Sequence, residues 1–358
     1  MMKKMNWIYG CALCAAMSLT LAGCDDDNND VPTPPAEEPF AAYYILSSGN
    51  MGNNNSSLTM YDPETGEATQ DYFQAQNGRK LGDTAQDMIV YGDKMYIAVY
   101  GESRLEVTDL EAKSIQPVET EGQVRDLLAK DGKVYLAYYN GYVARLDTAS
   151  LEVEAKVQVG RNPEQMAVSG DNLYVANSGG MDYNTPTGYD KTVSVVDLSS
   201  FSETKKIEVV INPTRIQADA AGNLYVISMG DYGDIPNTLQ RIDGATGEVS
   251  ALEACPNATD MVYANGKLYT YYSQWGVPEV TFTSYDPATG ATDSWIKDGT
   301  TIASPYNLSA AGGYVFVAES DYKNNGDVYC FGEDGKLVAK VETGLNPMVV
   351  VLAQKDNQ

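Results

Sequence analysis

Apolar and polar residues alternate over short stretches along most of the chain, and one pattern recurs. Each copy has a turn rich in Gly, Asp or Asn, and then an aromatic residue flanked by β-branched and aliphatic side chains. Such alternation between turn residues predicts half-buried strands. The aromatic residues of the seven copies are Tyr44, Tyr96, Tyr135, Tyr174, Tyr225, Tyr269 and Phe316, which lie 39 to 52 residues apart. This period is typical of propeller blades.

Two further motifs accompany the copies. An upstream motif, such as 162–166 (NPEQM) or 212–216 (NPTRI), precedes the aromatic residue, and a downstream motif, such as 61–66 (YDPETG), follows it. A less regular stretch completes each unit. We therefore predict four short strands per unit, named A to D from the central channel outward. The Gly and Asp-Pro turns suit tight A–B and C–D connections.

The two ends of the domain predict how the ring closes. The first unit begins at its B strand near Tyr43, whereas the last motif, 346–353, is an A strand with no B strand after it. The sequence therefore predicts an all-β fold, a seven-bladed β-propeller of four-stranded blades over residues 40–358. The C-terminal strand would complete the first blade, which pairs an otherwise bare edge.

The N-terminus has the pattern of a lipoprotein signal peptide, residues 1–23. Lys3 and Lys4 precede an apolar stretch over residues 7–21, which is too short for a transmembrane span. The stretch ends in LAGC, which resembles the bacterial lipobox. We expect Cys24 to be the lipid-modified first residue of the mature protein. An ordinary secretory signal with a chance cysteine is the alternative.

Residues 24–39 are predicted to be a disordered acidic and Pro-rich tether, since they have too few apolar side chains to offset the entropy of ordering. The acidic run 25–27 resembles the surface-export signal of lipoproteins in gut anaerobes. We therefore expect an outer-membrane protein that faces the cell surface and contacts the membrane through its lipid anchor only. The alternative is that the run only keeps the linker solvated.

Charge and composition narrow the function. The chain has 24 basic and 49 acidic residues, a formal charge of −25, which disfavours nucleic acid as a partner. It contains no histidine, which excludes Ser-His-Asp and Cys-His catalysis and His-ligated zinc. We predict no enzyme activity, no catalytic residue, no catalytic cofactor and no metal site; a carboxylate-based lyase or hydrolase is the alternative. We expect Cys255 and Cys330 to be buried free thiols.

The candidate binding site lies on the face that the B–C and D–A loops share. The B–C loops are longer than hairpins require, and function concentrates on loops held by a rigid scaffold. Aromatic and amide side chains there suit a bulky, amphipathic, neutral or cationic ligand. The candidate ligand-binding residues are Asp87, Tyr100, Arg125, Asp126, Tyr139, Asn140, Gln165, Tyr183, Arg215, Met229, Tyr232, Asp260, Trp275, Tyr306, Asn307 and Tyr322. The alternative for each aromatic residue is ordinary loop packing.

The mature domain also resembles a known group of proteins. The matching stretches are 48–50 (SGN), 60–63 (MYDP), 77–83 (NGRKLGD), 162–166 (NPEQM) and 195–198 (VVDL). They resemble the surface-exposed lipoprotein propellers of gut anaerobes, the YncE-like or "surface layer protein" group. That group includes the cobalamin-binding lipoproteins of the BtuG type.

The resemblance implies a function. It implies a lipoprotein that captures cobalamin (vitamin B12) or a related corrinoid and passes it to a TonB-dependent outer-membrane cobalamin transporter. Cobalamin would be the bound ligand, not a catalytic cofactor. Because the chain has no histidine, it cannot replace the lower axial base of the cobalt with an imidazole. A surface scaffold that binds glycan or protein, with no small-molecule ligand, is the alternative.

Overall fold

The computed structural model describes residues 40–274 and 276–355. In this part of the chain, 28 strands form seven four-stranded antiparallel sheets, the blades of a propeller. The predicted all-β, seven-bladed fold is therefore confirmed. The signal peptide, Cys24, the tether and Trp275 lie outside the described residues.

The first four blades follow the chain order from the N-terminal side. Blade 1 contains β1 (Phe40–Ser47), β2 (Ser57–Tyr61), β3 (Ala68–Thr69) and, as its innermost strand, β28 (Pro347–Lys355). Blade 2 contains β4 (Ala85–Tyr91), β5 (Lys94–Val99), β6 (Arg104–Asp109) and β7 (Ser114–Glu119). Blade 3 contains β8 (Val124–Lys130), β9 (Lys133–Tyr138), β10 (Tyr142–Asp147) and β11 (Val153–Gln158). Blade 4 contains β12 (Pro163–Ser169), β13 (Asn172–Asn177), β14 (Thr192–Asp197) and β15 (Ser202–Glu208).

The last three blades have the same order of strands. Blade 5 contains β16 (Pro213–Ala218), β17 (Leu224–Ser228), β18 (Thr238–Ile242) and β19 (Val249–Ala251). Blade 6 contains β20 (Asp260–Ala264), β21 (Lys267–Tyr272), β22 (Thr281–Tyr285) and β23 (Thr292–Ser294). Blade 7 contains β24 (Pro305–Ala311), β25 (Tyr314–Glu319), β26 (Asn325–Phe331) and β27 (Leu337–Leu345).

Helical structure is limited to short segments. They are α1 (Tyr72–Asn77), in the loop that leads from blade 1 to blade 2, and two single 3-10 turns, Tyr100–Glu102 and Gly180–Asp182. Over residues 40–274 and 276–355, none of these helices is long and apolar enough to cross a membrane.

The C-terminal strand closes the ring as the sequence predicted. β28 pairs with β1 in antiparallel register, with Tyr44 opposite Val351. The side chain of Asn346, just before β28, adds a hydrogen bond from its Nδ2 to the carbonyl oxygen of Gly49 at 2.9 Å. Strands from both ends of the domain therefore lie side by side in one blade.

The recurring aromatic residues belong to the packing between blades. All seven are at least nine-tenths buried. Tyr44 also donates a hydrogen bond through its hydroxyl to the carbonyl oxygen of Leu110, in the neighbouring blade, at 3.0 Å. The repeat is thus explained by the core, because each blade needs one large side chain to fill the space against the next.

The upstream motif has a backbone reason. Asn162, Asn212, Asn257 and Asn346 all have positive φ, between 48° and 62°. Asn tolerates this left-handed conformation better than most residues, because its short polar side chain can bond locally. The four asparagines thus turn the chain sharply from the outer strand of one blade into the inner strand of the next.

Cys255 and Cys330, the cysteines within residues 40–274 and 276–355, are free and buried, as expected. Cys255 lies between blades 5 and 6, and Cys330 lies in β26 of blade 7. Burial raises the pKa of the Cys330 thiol to about 12 and also raises the pKa of Cys255. The thiolate is the reactive form, so both side chains act as small apolar groups.

Candidate functional site

A cavity of about 1150 Å³ opens on the face formed by the D–A and B–C loops. Its volume slightly exceeds that of pockets for drug-sized ligands, about 300–1,000 Å³. Blades 3 to 7 supply its lining, so the cavity is off-centre. Seven of the described lining residues are tyrosines: Tyr139, Tyr183, Tyr189, Tyr232, Tyr271, Tyr306 and Tyr322.

At the floor of the cavity, an ion pair joins blades 3 and 4. Arg125 donates from Nε to Glu164 Oε2 at 2.8 Å, and from Nη1 to Gln86 Oε1 at 2.7 Å. Its Nη2 also contacts Glu164 Oε2, at 2.5 Å. The Glu164 side chain is almost fully buried, so this pair fixes Arg125 in position instead of leaving it free to move.

A second ion pair joins blades 5 and 6. Arg215 donates from Nε to Asp260 Oδ1 at 2.7 Å, and Asp260 is itself buried. The same carboxylate accepts the backbone N–H of Leu308 in blade 7, through Oδ2, at 2.9 Å. Asp260 therefore connects three blades, and the positive charge of Arg215 is balanced where it faces the cavity.

Below the floor, seven equivalent positions encircle a narrow channel cavity of about 120 Å³. Each lies directly before a buried or half-buried apolar residue of an inner strand. They are Asp87, Asp126, Gln165, Arg215, Asp260, Asn307 and Met348. No group of three or more His, Cys, Asp or Glu residues within 40–274 and 276–355 has the arrangement of a metal site.

Several of these channel side chains link one blade to the next. Asp87 accepts the backbone N–H of Leu127 at 2.7 Å, and Asp126 accepts that of Met166 at 2.9 Å. Gln165 accepts the N–H of Ile216 at 2.9 Å in the same way. Each link satisfies an inner-strand N–H that faces the channel, so these acceptors stabilise the ring.

The two adjacent channel carboxylates have altered acidity. Burial raises the pKa of Asp87 to about 6, although the N–H of Leu127 partly offsets it. Burial also raises the pKa of Asp126 well above its usual range, and the negative charge of Asp87 raises it further. Both effects disfavour the charged form, because two carboxylates are held in a confined, poorly solvated space.

Three of the loops that line the cavity share an Asp-Tyr dipeptide. The tyrosines are Tyr183, Tyr232 and Tyr322, in the B–C loops of blades 4, 5 and 7, and they are 62%, 70% and 55% exposed. Asp231 accepts the backbone N–H groups of Gly233 and Ile235 through Oδ1. Side-chain turns of this kind fix the loop around the exposed ring.

The structure brings half of the predicted site residues together at the cavity. Arg125, Tyr139, Tyr183, Arg215, Met229, Tyr232, Tyr306 and Tyr322 line it. Asp87, Asp126, Gln165, Asp260 and Asn307 line the channel below, together with Arg125 and Arg215. The channel residues lie close together because each stands near the start of an inner strand, and the inner strands begin around the channel mouth.

Two predicted residues lie outside both cavities. Tyr100 is buried and packs edge-on against Tyr139, with ring centroids 6.0 Å apart. Asn140 is exposed in the B–C turn of blade 3, where its Nδ2 donates to the carbonyl oxygen of Glu121 at 3.3 Å. Trp275 lies outside the described residues.

Sequence reasoning missed many of the lining residues, among them four with charged or aromatic side chains: Glu164, Asp231, Tyr271 and Asp321. For two of them a signal existed, since Asp231 and Asp321 precede a loop tyrosine in a repeated dipeptide. Glu164 lies within the upstream motif, but nothing in the sequence indicated that it forms an ion pair. Tyr271 follows the recurring aromatic of blade 6 by two residues, so it looked like ordinary strand sequence.

Comparison with known proteins defines a family and a fold. Residues 41–271 match the DUF5074 family, described as a domain of unknown function. None of the curated proteins matches the chain.

Solved propellers are similar at the level of the fold. A quinoprotein alcohol dehydrogenase-like protein from Bacteroides thetaiotaomicron has a TM-score of 0.60 at 16% identity, covering 87% of this chain and 77% of that one. A putative 6-phosphogluconolactonase from Bacteroides fragilis has a TM-score of 0.60 at 13% identity, covering 88% and 98%. Hydrazine synthase from Kuenenia stuttgartiensis has a TM-score of 0.59 at 18% identity, covering 73% and 86%. At such low identities the likeness concerns the fold alone.

Proposed function

The chain belongs to the DUF5074 family of domains of unknown function, and we propose that it is a ligand-capture propeller that binds without catalysis. The observation that carries this proposal is the cavity of about 1150 Å³, with seven tyrosines around it. Large aromatic surfaces held on a rigid scaffold bind bulky ligands at a small cost in entropy.

The ligand we propose is cobalamin or a related corrinoid. A corrinoid presents a broad apolar ring edged with amide groups, and it needs both aromatic surface and hydrogen-bonding partners. The cavity offers its tyrosines together with amide and hydroxyl groups, among them Asn212, Thr259, Ser273 and Gln274. The two balanced ion pairs at its floor add polarity without a strong net charge.

We further propose that the protein is a lipoprotein of the outer membrane. Lipid on Cys24 would anchor it through the acidic tether, with the propeller at the cell surface and a TonB-dependent cobalamin transporter as its partner. Large apolar side chains outside the cavity support a protein partner. Met51, on a loop of blade 1, is 74% exposed although blade 1 contributes nothing to the cavity lining. We propose Met51 as one contact for such a partner.

Calorimetric titration of the purified protein with cyanocobalamin tests the ligand. We expect one-to-one binding. The triple substitution Tyr183→Ala, Tyr232→Ala and Tyr322→Ala should weaken it by about 100-fold or more, since each aromatic contact contributes on the order of 1 kcal/mol. An unchanged affinity in this variant would place the site elsewhere, and no binding to the wild-type protein would remove corrinoids from the proposal.

A matched control removes three other exposed apolar side chains that lie outside the cavity. Ile115→Ala, Tyr142→Ala and Val338→Ala truncate side chains that are 51%, 36% and 38% exposed. We expect this variant to bind cyanocobalamin as the wild-type protein does. Equal losses in both triple variants would indicate a general effect on the fold.

The anchor has its own test. Replacing the proposed lipid-modified residue, Cys24→Ser, should release the protein from the membrane fraction, because the thiol at position 24 that would carry the lipid is gone. Incorporation of labelled palmitate should be lost with it, while Cys255→Ser should leave both results unchanged. Continued labelling of the Cys24→Ser protein would contradict the lipoprotein assignment.

A protein- or glycan-binding scaffold is the second candidate. The exposed Met51 and Met181, on different blades, favour it because they extend the apolar surface beyond the cavity. Co-purification of the transporter in the absence of corrinoid, together with a flat cyanocobalamin titration, would support the scaffold over ligand capture.

A further inference from the structure

Three pairs of tyrosines pack edge to face on the loop side of the ring. Their ring centroids are 5.4 to 6.5 Å apart and their planes are inclined by 65° to 89°. The pairs are Tyr100–Tyr139 in blades 2 and 3, Tyr189–Tyr232 in blades 4 and 5, and Tyr306–Tyr322 in blade 7. Two aromatic rings at a steep angle present their electron-rich faces to a common corner.

The first pair already holds a cation that the chain supplies. The guanidinium carbon of Arg125 lies 5.6 Å from the ring centroid of Tyr100 and 5.2 Å from that of Tyr139. Both distances fall within the range in which a cation is attracted to an aromatic face. A pair of tyrosines on this face of the ring therefore binds a positively charged group between its two rings.

The other two pairs line the cavity and hold no such cation. Within residues 40–274 and 276–355, no Lys or Arg lies over the rings of Tyr189, Tyr232, Tyr306 or Tyr322. All four rings face the cavity, which would give a ligand access to them.

The exposed member of each open pair has a strained backbone. Tyr232 and Tyr322 have φ of 58° and 63°, a left-handed conformation that is uncommon for a bulky residue. This conformation belongs to a turn that the preceding Asp side chain stabilises. Asp231 accepts the backbone N–H groups of Gly233 and Ile235. Asp321 accepts those of Lys323 and Asn324, both at 2.8 Å. Strain of this kind persists where surrounding contacts over-determine it, often at ligand-binding positions.

The same two aspartates place negative charge beside the open pairs. Asp231 and Asp321 both line the cavity. Backbone N–H donors lower the pKa of Asp231, and those of Asn324 and Lys323 lower the pKa of Asp321 to about 2, so both stay ionised. Arg125 and Arg215 at the floor are balanced by Glu164 and Asp260. The cavity therefore combines aromatic faces with two ionised carboxylates, Asp231 and Asp321, of which Asp321 has the positive charge of Lys323 close by.

We propose that the pairs Tyr189–Tyr232 and Tyr306–Tyr322 are receptors for an organic cation, an ammonium or quaternary ammonium group carried on an apolar body. Each pair supplies two aromatic faces, and the adjacent aspartate supplies the counter-charge. The inference deepens the proposed function, since it uses the same cavity and specifies the charge of what binds there. The overall charge of −25 would favour the approach of such a ligand.

The test compares choline with 3,3-dimethylbutan-1-ol, its uncharged isostere, by titration followed in one-dimensional NMR spectra of the purified protein. We expect choline to bind at least tenfold more tightly than the isostere, because only the positive charge differs between them. Equal binding of the two, or no binding of choline, would overturn the proposal.

Variants locate the receptor without removing the apolar surface. Tyr232→Leu and Tyr322→Leu should each weaken choline binding severalfold and leave the isostere unaffected. Tyr142→Leu is the matched control, because Tyr142 is a partly exposed tyrosine outside the cavity, stacked with Lys156. Asp231→Asn and Asp321→Asn retain the oxygen that forms the turn, so they should reduce the preference for choline while the loop stays folded. A loss in Tyr142→Leu as large as in Tyr232→Leu would count against the assignment.

Corrinoids separate this inference from the proposed function. Aquacobalamin carries a net positive charge at its cobalt centre that cyanocobalamin lacks, so we expect the cationic form to bind more tightly. If cyanocobalamin binds but choline does not, the receptor proposal fails and corrinoid capture stands. If choline binds and neither corrinoid does, the receptor proposal stands and corrinoid capture fails.

Discussion

Deletion of β28 will abolish the cooperative unfolding of the propeller. The strand contributes the inner edge of blade 1, pairs with β1 along its length, and buries Val350 and Ala353. It also packs against the inner strands of both neighbouring blades, β24 and β4. Its loss removes contacts in three blades at once, whereas a typical domain is stabilised by only about 5–15 kcal/mol in total.

The measurement is thermal unfolding followed by circular dichroism. A chain ending at Asn346 should show no native transition and should aggregate, because the edge of β1 is left unpaired. A chain ending at Lys355 retains β28 and should unfold as the full-length protein does. A native melting curve for the shorter chain would mean that six blades and a three-stranded sheet close without the C-terminal strand.

Replacement of the channel carboxylates will stabilise the protein at neutral pH. Asp87 has a pKa of about 6 in the folded state, against about 4 for an unfolded Asp. Between these values the folded protein holds a proton that the unfolded chain releases, so the free energy of unfolding falls as the pH rises through this window. Asp126 acts in the same direction, because its pKa is also raised.

The variants Asp87→Asn and Asp126→Asn keep an oxygen for the N–H groups of Leu127 and Met166 and remove the charge. We expect each to raise the free energy of unfolding by roughly 1–3 kcal/mol at pH 7, and to have little effect near pH 4. The measurement is the melting temperature between pH 4 and pH 8, which should rise for the wild-type protein from pH 7 to pH 5 and stay flatter for the variants.

An exposed aspartate provides the control for this prediction. The pKa of Asp93 is lowered by its hydrogen bond with Lys94, so Asp93→Asn cannot relieve a destabilised charge and should give no gain at pH 7. If Asp87→Asn instead melts at or below the wild-type temperature at pH 7, the charged form is tolerated in the channel and the assigned acidity is wrong.

The sequence predicted the fold because the fold is repetitive. A single large residue, such as Tyr96 or Tyr225, fills the equivalent space in each blade. The A-strand motif at 346–353 has no B strand after it, so it had to pair with a strand at the other end of the domain. Strand packing that is repeated in every blade produces a hydrophobic pattern that is repeated in the sequence, so the pattern predicts the blades. The seven blades and the closure could therefore be derived without any three-dimensional information.

The site could be predicted only as a face. Loop length placed Tyr183, Tyr232 and Tyr322 on the same side, but the repeat gave no sign that blades 1 and 2 stay out of the cavity. Arg125 and Glu164 occupy equivalent positions of neighbouring blades, 39 residues apart, so the repeat makes the positions neighbours but does not tell that these two side chains form an ion pair. Tyr100 was misplaced for the same reason, because its packing behind Tyr139 depends on the exact course of two loops.

The closure of blade 1 also sets the order in which the molecule can be assembled. The bond between Asn346 and Gly49 joins residues 297 positions apart, so β1 is synthesised first and waits for the last strand of the domain. Until β28 arrives, the growing chain keeps an unpaired edge, which is the feature most prone to sticking to other chains. The ring therefore cannot close before the whole domain is available, and β1 is the edge that stays unpaired until then.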